Sequence, residues 1–102
     1  MDLETVSMEL IVHSGNARSK AFEALEKAKE GDAAGAEQLM KESKEESALA
    51  HQAQTDLLVD EANGKKTEVN ILLVHAQDHL MTSMLAIELI QELIVLHNEK
   101  NK

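Results

Sequence analysis

The chain has 102 residues, a net charge of −9 at pH 7 and neither cysteine nor proline. This length suits one domain with a modest core. Nucleic-acid binding is disfavoured because the sequence has no basic stripe that could neutralise phosphates. We expect no signal peptide and no stretch long and apolar enough to span a membrane, which predicts a cytoplasmic protein without direct membrane insertion. Phe22 is the single aromatic residue, and so small a core often needs oligomerisation to bury enough surface.

Good helix formers dominate the composition, which predicts an all-α fold. Gly31 suits the end of a first helix, and Asp32 is a good N-cap for a second. Asn63 and Gly64 form the second break, after which Thr67 is the expected cap of a third helix. The sequence therefore predicts one domain, residues 1–102, folded as an antiparallel three-helix bundle with helices at about 3–29, 33–62 and 67–100.

The third predicted helix carries more apolar surface than one bundle can cover. Its combined apolar arc spans roughly 220° of the helix circumference at 100° per residue. Packing of this helix against its own copies explains the surplus best, which predicts an oligomer. The surplus stripe consists of Ile71, His75, Asp78, Thr82, Leu85, Leu89, Leu93 and Leu96.

Two imidazoles and a carboxylate interrupt this apolar helix. Residues three or four apart on a helix share a face, so His75, Asp78 and His79 are expected to form one patch. Asp78 also lies one heptad from both Ile71 and Leu85 within the surplus stripe. In a symmetric oligomer it would meet its own copies near the axis, where carboxylates must share protons or bind a cation.

Three interpretations of the histidine patch follow from the residues. The histidines are partly buried and have no chemistry, or they bind zinc in a hydrolase, or one neutral imidazole accepts a phosphoryl group and passes it on. The zinc-hydrolase motif needs a glutamate as its base where this chain has the shorter Asp78. That motif also belongs to much larger folds.

Three segments of the chain resemble those of a known family. They are VHAQDHLMTSML at 74–85, SGNARS at 14–19 and AHQAQT at 50–55, and the glycines of 31–32 and 63–64 stand at the family's two turns. The family is the lactose/cellobiose-type enzyme IIA of the bacterial phosphoenolpyruvate-dependent sugar phosphotransferase system (PTS). The form HAQDH and the sequence of 88–94 look nearer the cellobiose and diacetylchitobiose branch.

The resemblance implies a homotrimer of three-helix subunits, a nine-helix assembly. By position, His75 matches the phosphorylated histidine, His79 the second active-site histidine, and Asp78 the carboxylate that gathers a metal ion on the threefold axis. The metal would be divalent, with magnesium as a candidate, and no organic cofactor is implied. Gln54 and Thr55 are expected to support the phosphoryl group.

The same resemblance implies the partners. The phosphocarrier protein HPr would be the phosphoryl donor, a cysteine of the cognate IIB component the acceptor, and IIC the membrane transporter. The chain would then act in the uptake of a β-linked disaccharide. A non-catalytic helical adaptor with a structural metal at a trimer axis is the competing hypothesis.

Other polar residues are assigned smaller roles. Arg18 and Lys20 are interpreted as solvated helix charges, with the alternative that a cation near the site meets phosphate. His13 and His97 are interpreted as bystanders. His51 is left between a packing role and support of the site.

Overall fold

The computed structural model describes residues 2–101, and this part of the chain contains three helices and no strand. The elements in chain order are α1 (Leu3–Lys29), α2 (Ala33–Ala62) and α3 (Ile71–Lys100). A helix of about 30 residues is about 45 Å long, which explains the elongated bundle of 54 × 19 × 19 Å. Short connections reverse the chain twice, so α1 and α3 run parallel and α2 antiparallel to both.

Glycines at positive φ end the first two helices. Gly31 and Gly64 both have φ of 88°, a conformation that costs glycine little. At the end of α1, Gly31 N donates to Ala28 O at 3.0 Å and Asp32 N to Lys27 O at 2.9 Å. This pair of bonds is the Schellman arrangement. Asp32 then caps α2, since its carboxylate accepts from the Gly35 amide at 2.9 Å.

The third helix begins at Ile71, so the expectation of a helix capped by Thr67 was wrong. Asn70 is the N-cap, and its side-chain oxygen accepts from the Leu73 amide at 2.8 Å. Asparagine is a stronger cap than threonine. Leu73 is also the first core residue of α3, so one more turn before it would bury little apolar surface.

The core consists of two apolar clusters separated by a layer of serines. Ser14, Ser43 and Ser83 are buried, and the Ser43 hydroxyl donates to Ala17 O at 2.6 Å. α1 packs closely against both α2 and α3, whereas α2 and α3 touch each other little. Small side chains on α1 permit that close approach. The first cluster contains Val6, Leu10, Ala50, Leu57, Leu73, Ala76 and Leu80, and the second contains Ala17, Ala21, Ala24, Ala28, Ala36, Met40, Ile87, Ile90 and Ile94.

Much of the apolar surface of α3 stays exposed in the single subunit. Ile71 is 89% exposed, and a continuous stripe of large side chains follows it along the helix. A patch of this kind marks an interaction surface. The exposed side chains are Ile71, Val74, Met81, Leu85, Leu89, Leu93, Val95 and Leu96.

The apolar character of α3 corrects one expectation. The sequence was expected to hold no stretch long and apolar enough to cross a membrane, yet α3 has 30 residues and a window with mean hydropathy of 1.5, which meets that criterion. The mean hydropathy of α3 is high because both its buried face and its exposed stripe are apolar. Core helices of water-soluble proteins pass the same test, and one face of α3 packs into this bundle.

The capping assignment leads to a stability prediction. Asn70→Ala should lower the free energy of unfolding by about 1 kcal/mol because the Leu73 amide loses its acceptor. Thr67→Ala should change it by less than about 0.5 kcal/mol. Urea unfolding of both variants at one protein concentration measures the difference. A larger loss of unfolding free energy in Thr67→Ala than in Asn70→Ala would contradict the assignment of Asn70 as the cap.

Candidate functional site

The two histidines lie on one flank of α3, at the seam with α1. Each residue turns the helix by 100°, which places His79 about 60° and His75 about 100° from the direction of the buried face. Both imidazoles lie on the same side of that buried face. Gln77 lies on the opposite flank, where it meets Gln54 of α2. The histidine pair therefore belongs to the α1 side of the helix.

The imidazoles of His75 and His79 face each other edge to face. Their ring centroids are 5.1 Å apart and the ring planes make an angle of 81°. His75 is exposed and His79 is half-buried. A small group bound to His75 would therefore have the ring of His79 beside it.

His79 is held in its neutral form. Burial lowers the pKa of its imidazole below the ordinary value of 6.5, and the charges of Arg18 and His75 lower the pKa further, while Asp78 opposes them. Its Nδ1 atom is buried and has no hydrogen-bond partner within residues 2–101. A neutral imidazole carries one N–H, which can be donated to an anion on its exposed side.

Asp78 makes no hydrogen bond or ion pair with either histidine in the described residues. It lies about 160° from the buried face, in the exposed apolar stripe, and the described residues give its carboxylate neither a hydrogen bond nor an ion pair. The Thr82 hydroxyl donates to the Asp78 backbone oxygen at 2.8 Å. Residues 2–101 hold no group of three His, Cys, Asp or Glu side chains placed to bind a metal. An axial site would draw one carboxylate from each of three chains.

Gln54 and Thr55 lie away from the histidines of their own subunit. The Gln54 amide donates to Gln77 Oε1 and also contacts Met81 Sδ at 3.9 Å. The Thr55 hydroxyl donates to the His51 backbone oxygen at 3.0 Å. Neither side chain bonds to His75 or His79 in the described part of the subunit, so their support of the phosphoryl group stays a prediction.

Two of the remaining histidines, His13 and His97, have side-chain contacts of their own outside the pair. His13 Nδ1 lies 2.6 Å from Glu46 Oε2 and so joins α1 to α2. His97 Nε2 lies 2.9 Å from Asn101 Nδ2 at the end of α3.

Arg18 was interpreted as a solvated helix charge, with a cation near the site as the alternative. Its side chain is half-buried, and its charge contributes to the lowered pKa of His79. The usable signal was spacing, since Arg18 follows the buried Ser14 by four residues and so shares its face of α1.

The lowered pKa of His79 predicts a pH-dependent stability. An unfolded chain protonates this imidazole near pH 6.5, whereas the folded chain protonates it only at lower pH. The folded state should therefore lose stability as pH falls below about 6.5. His79→Gln cannot titrate there and is the control. The difference in unfolding free energy, wild type minus variant, should fall from pH 7.5 to pH 5.5 in denaturant titrations. A constant difference would contradict a neutral His79.

Comparison with known proteins identifies the family. The family model for the PTS lactose/cellobiose-specific IIA subunit matches residues 5–98. The N,N'-diacetylchitobiose-specific EIIA component of the PTS from Escherichia coli (strain K12) is 53% identical over 98 residues, which cover 96% of this chain and 84% of that protein.

Two solved structures share the fold of this chain. The crystal structure of the PTS cellobiose-specific enzyme IIA from Bacillus anthracis superposes with a TM-score of 0.95 at 46% identity, over 99% of this chain and 93% of that chain. The IIA(chitobiose)–HPr complex of the Escherichia coli phosphotransferase system matches with a TM-score of 0.86 at 50% identity, over 100% of this chain and 99% of that chain. The resemblance and its placement nearer the cellobiose and diacetylchitobiose branch are confirmed. The chain belongs to the lactose/cellobiose-specific IIA family of the phosphotransferase system.

Proposed function

We propose that this IIA component carries a phosphoryl group on His75 during uptake of a β-linked disaccharide of the cellobiose or diacetylchitobiose class. HPr is the donor, the cysteine of the cognate IIB component is the acceptor, and IIC is the membrane transporter. The pairing of an exposed His75 with a neutral, half-buried His79 is the observation that carries the proposal. A relative of this chain has been solved in complex with HPr. These partners place the protein in the cytoplasm.

Exposure distinguishes the roles of the two histidines. In-line phosphoryl transfer needs a nucleophile that phosphorus can approach from the side opposite the leaving group, and the exposed His75 meets that need better than His79. A ring nitrogen of His75 forms the new N–P bond as the bond from phosphorus to HPr breaks. The N–H of His79 donates to a phosphoryl oxygen. In the second step the IIB thiolate forms the S–P bond and His75 leaves with its lone pair.

The exposed stripe of α3 supports a homotrimer. Large apolar side chains from Ile71 to Leu96 are uncovered in the single subunit. Three copies of α3 packed around an axis would cover one another, giving a nine-helix assembly. Asp78 lies within that stripe, so three carboxylates would meet at the axis.

A divalent metal suits that arrangement. Carboxylate oxygens are the ligands that hard cations such as Mg²⁺ prefer, and the Asp78 carboxylate has no competing partner in the described residues. The ion would neutralise the like charges of the three Asp78 side chains. Phosphoryl transfer at His75 does not pass through it.

The axial placement of Asp78 is tested by Asp78→Leu. Removing like charges from an apolar interface should leave a folded trimer that is more stable by about 1–4 kcal/mol. Sedimentation equilibrium measures the assembly, and thermal unfolding with and without EDTA measures the metal. EDTA should lower the midpoint of the wild type and leave the variant unchanged. Dissociation of Asp78→Leu into monomers would contradict the placement.

The carrier role is tested by intact mass after incubation with enzyme I, HPr and phosphoenolpyruvate. Wild type should gain one phosphate, and His75→Gln should gain none while keeping its helical circular dichroism. His79→Gln should still accept phosphate, about a hundredfold more slowly, because a phosphoryl contact is lost. Absence of any gain in the folded wild type would overturn the proposal. The non-catalytic adaptor with a structural metal would then be the better hypothesis.

A further inference from the structure

Four buried polar atoms of residues 2–101 have no hydrogen-bond partner in this part of the chain, and all four belong to α1 or α3. They are Ser7 Oγ, Ser14 Oγ, His79 Nδ1 and Ser83 Oγ. Burying a polar group without a hydrogen bond is unfavourable, so native proteins leave few such groups unpaired. Because α1 and α3 pack closely together, the four atoms indicate a shared polar partner between these two helices.

Ser83 and His79 lie one turn apart on the same face of α3. Ser83 is about 20° and His79 about 60° from the direction of the buried face, on the same flank. No direct hydrogen bond joins the hydroxyl to the ring. Cβ atoms four residues apart on a helix are separated by about 5–6 Å. One water molecule spans such a gap, since each of its hydrogen bonds is about 2.8 Å long.

Ser14 brings a second hydroxyl to the level of Ser83. On α1, Ser14 separates the buried members of the first apolar cluster from those of the second, and Ser83 does the same on α3. Both side chains are only 1% exposed. The two hydroxyls therefore lie where the two clusters meet, across the contact between α1 and α3.

Ser43 of α2 shows the alternative, a serine of the same layer that is satisfied by the protein. Its hydroxyl donates to Ala17 O at 2.6 Å. Helical serines often donate to the carbonyl one turn earlier, but Ser14 and Ser83 do not make that bond within the described residues. Their hydroxyls are available for another polar group.

We infer that an ordered water molecule between α1 and α3 binds Ser14, Ser83 and His79 Nδ1, which makes both serines positioning residues for this histidine. A buried water typically makes about three hydrogen bonds to groups that otherwise lack a partner. The water accepts from one serine hydroxyl and donates to the other hydroxyl and to Nδ1. A hydrogen bond at one ring nitrogen decides which nitrogen carries the proton, so the proton of neutral His79 is on Nε2.

This tautomer is the one that the proposed carrier function needs. Nε2 of His79 is not buried as Nδ1 is, and the ring centroid of His75 is 5.1 Å away. An N–H at Nε2 can donate to a phosphoryl oxygen on His75, whereas a lone pair there would repel the anion. The inference rests on the proposed function and adds the groups that fix the donor.

The tautomer is tested in Ser83→Ala and Ser14→Ala, with Ser43→Ala as the control from the same layer. Long-range ¹H–¹⁵N correlation spectra of unphosphorylated protein should show His79 with its proton on Nε2 in wild type and in Ser43→Ala. Ser83→Ala and Ser14→Ala should raise the share of the Nδ1–H tautomer while keeping wild-type helical circular dichroism. An Nδ1–H tautomer in wild type, or an unchanged tautomer in both variants, would overturn the inference.

The water itself is tested by a high-resolution crystal structure of the wild-type protein. Density for one water within hydrogen-bond distance of all three atoms is expected. A dry contact between α1 and α3, with the serine hydroxyls bonded to backbone carbonyls, would refute the bridging role.

Transfer rates separate positioning from a general loosening of the core. Ser83→Ala should accept the phosphoryl group from phospho-HPr about tenfold more slowly at saturating HPr. Its KM for phospho-HPr should not change, and Ser43→Ala should transfer at the wild-type rate. An equal loss in Ser43→Ala would contradict a positioning role. If wild-type protein accepts no phosphoryl group, the carrier proposal fails, whereas the spectra and the crystallographic water still report on the serines.

Discussion

The apolar surface of α3 is the constraint on which the rest of the structure depends. α1 packs closely against one side of this helix. The alanines at three- and four-residue spacing from Ala17 to Ala28 let the two backbones approach. α2 contacts α3 little, and the stripe from Ile71 to Leu96 is left uncovered. Burial of such a stripe contributes about 25 cal/mol per Å² of apolar surface. In the proposed homotrimer, burial of this stripe would add to the stability of each subunit.

The histidine pair lies at the boundary between the covered and uncovered sides of α3. Its position gives the two imidazoles different environments although they are one turn apart. His79 is half-buried against α1 and neutral, while His75 is exposed. A phosphoryl carrier needs both properties, because the acceptor must be reached by two partner proteins and the supporting donor must stay fixed. The helix geometry alone, through a 100° turn per residue, produces this difference.

Local sequence determined the helices more fully than the site. Gly31 and Gly64 mark both turns because positive φ is costly for other residues. The start of α3 was placed too early because Asn70 competes with Thr67 as a cap, and only the position of the core at Leu73 decides between them. The histidine spacing indicated the facing imidazoles. The four-residue spacing from Ser14 could have indicated that Arg18 is half-buried. The pairing of Gln54 with Gln77 depends on packing between helices, which no local pattern contains.

The most direct test of the account asks which imidazole carries the phosphate. Long-range ¹H–¹⁵N correlation spectra of the protein phosphorylated by HPr distinguish a phosphorylated ring nitrogen from a free one at each histidine. We expect the signature of phosphorylation on one ring nitrogen of His75, with His79 remaining neutral and shifted only by a hydrogen bond. Phosphorylation of His79, or of neither ring in a protein whose mass shows the added phosphate, would contradict the central claim.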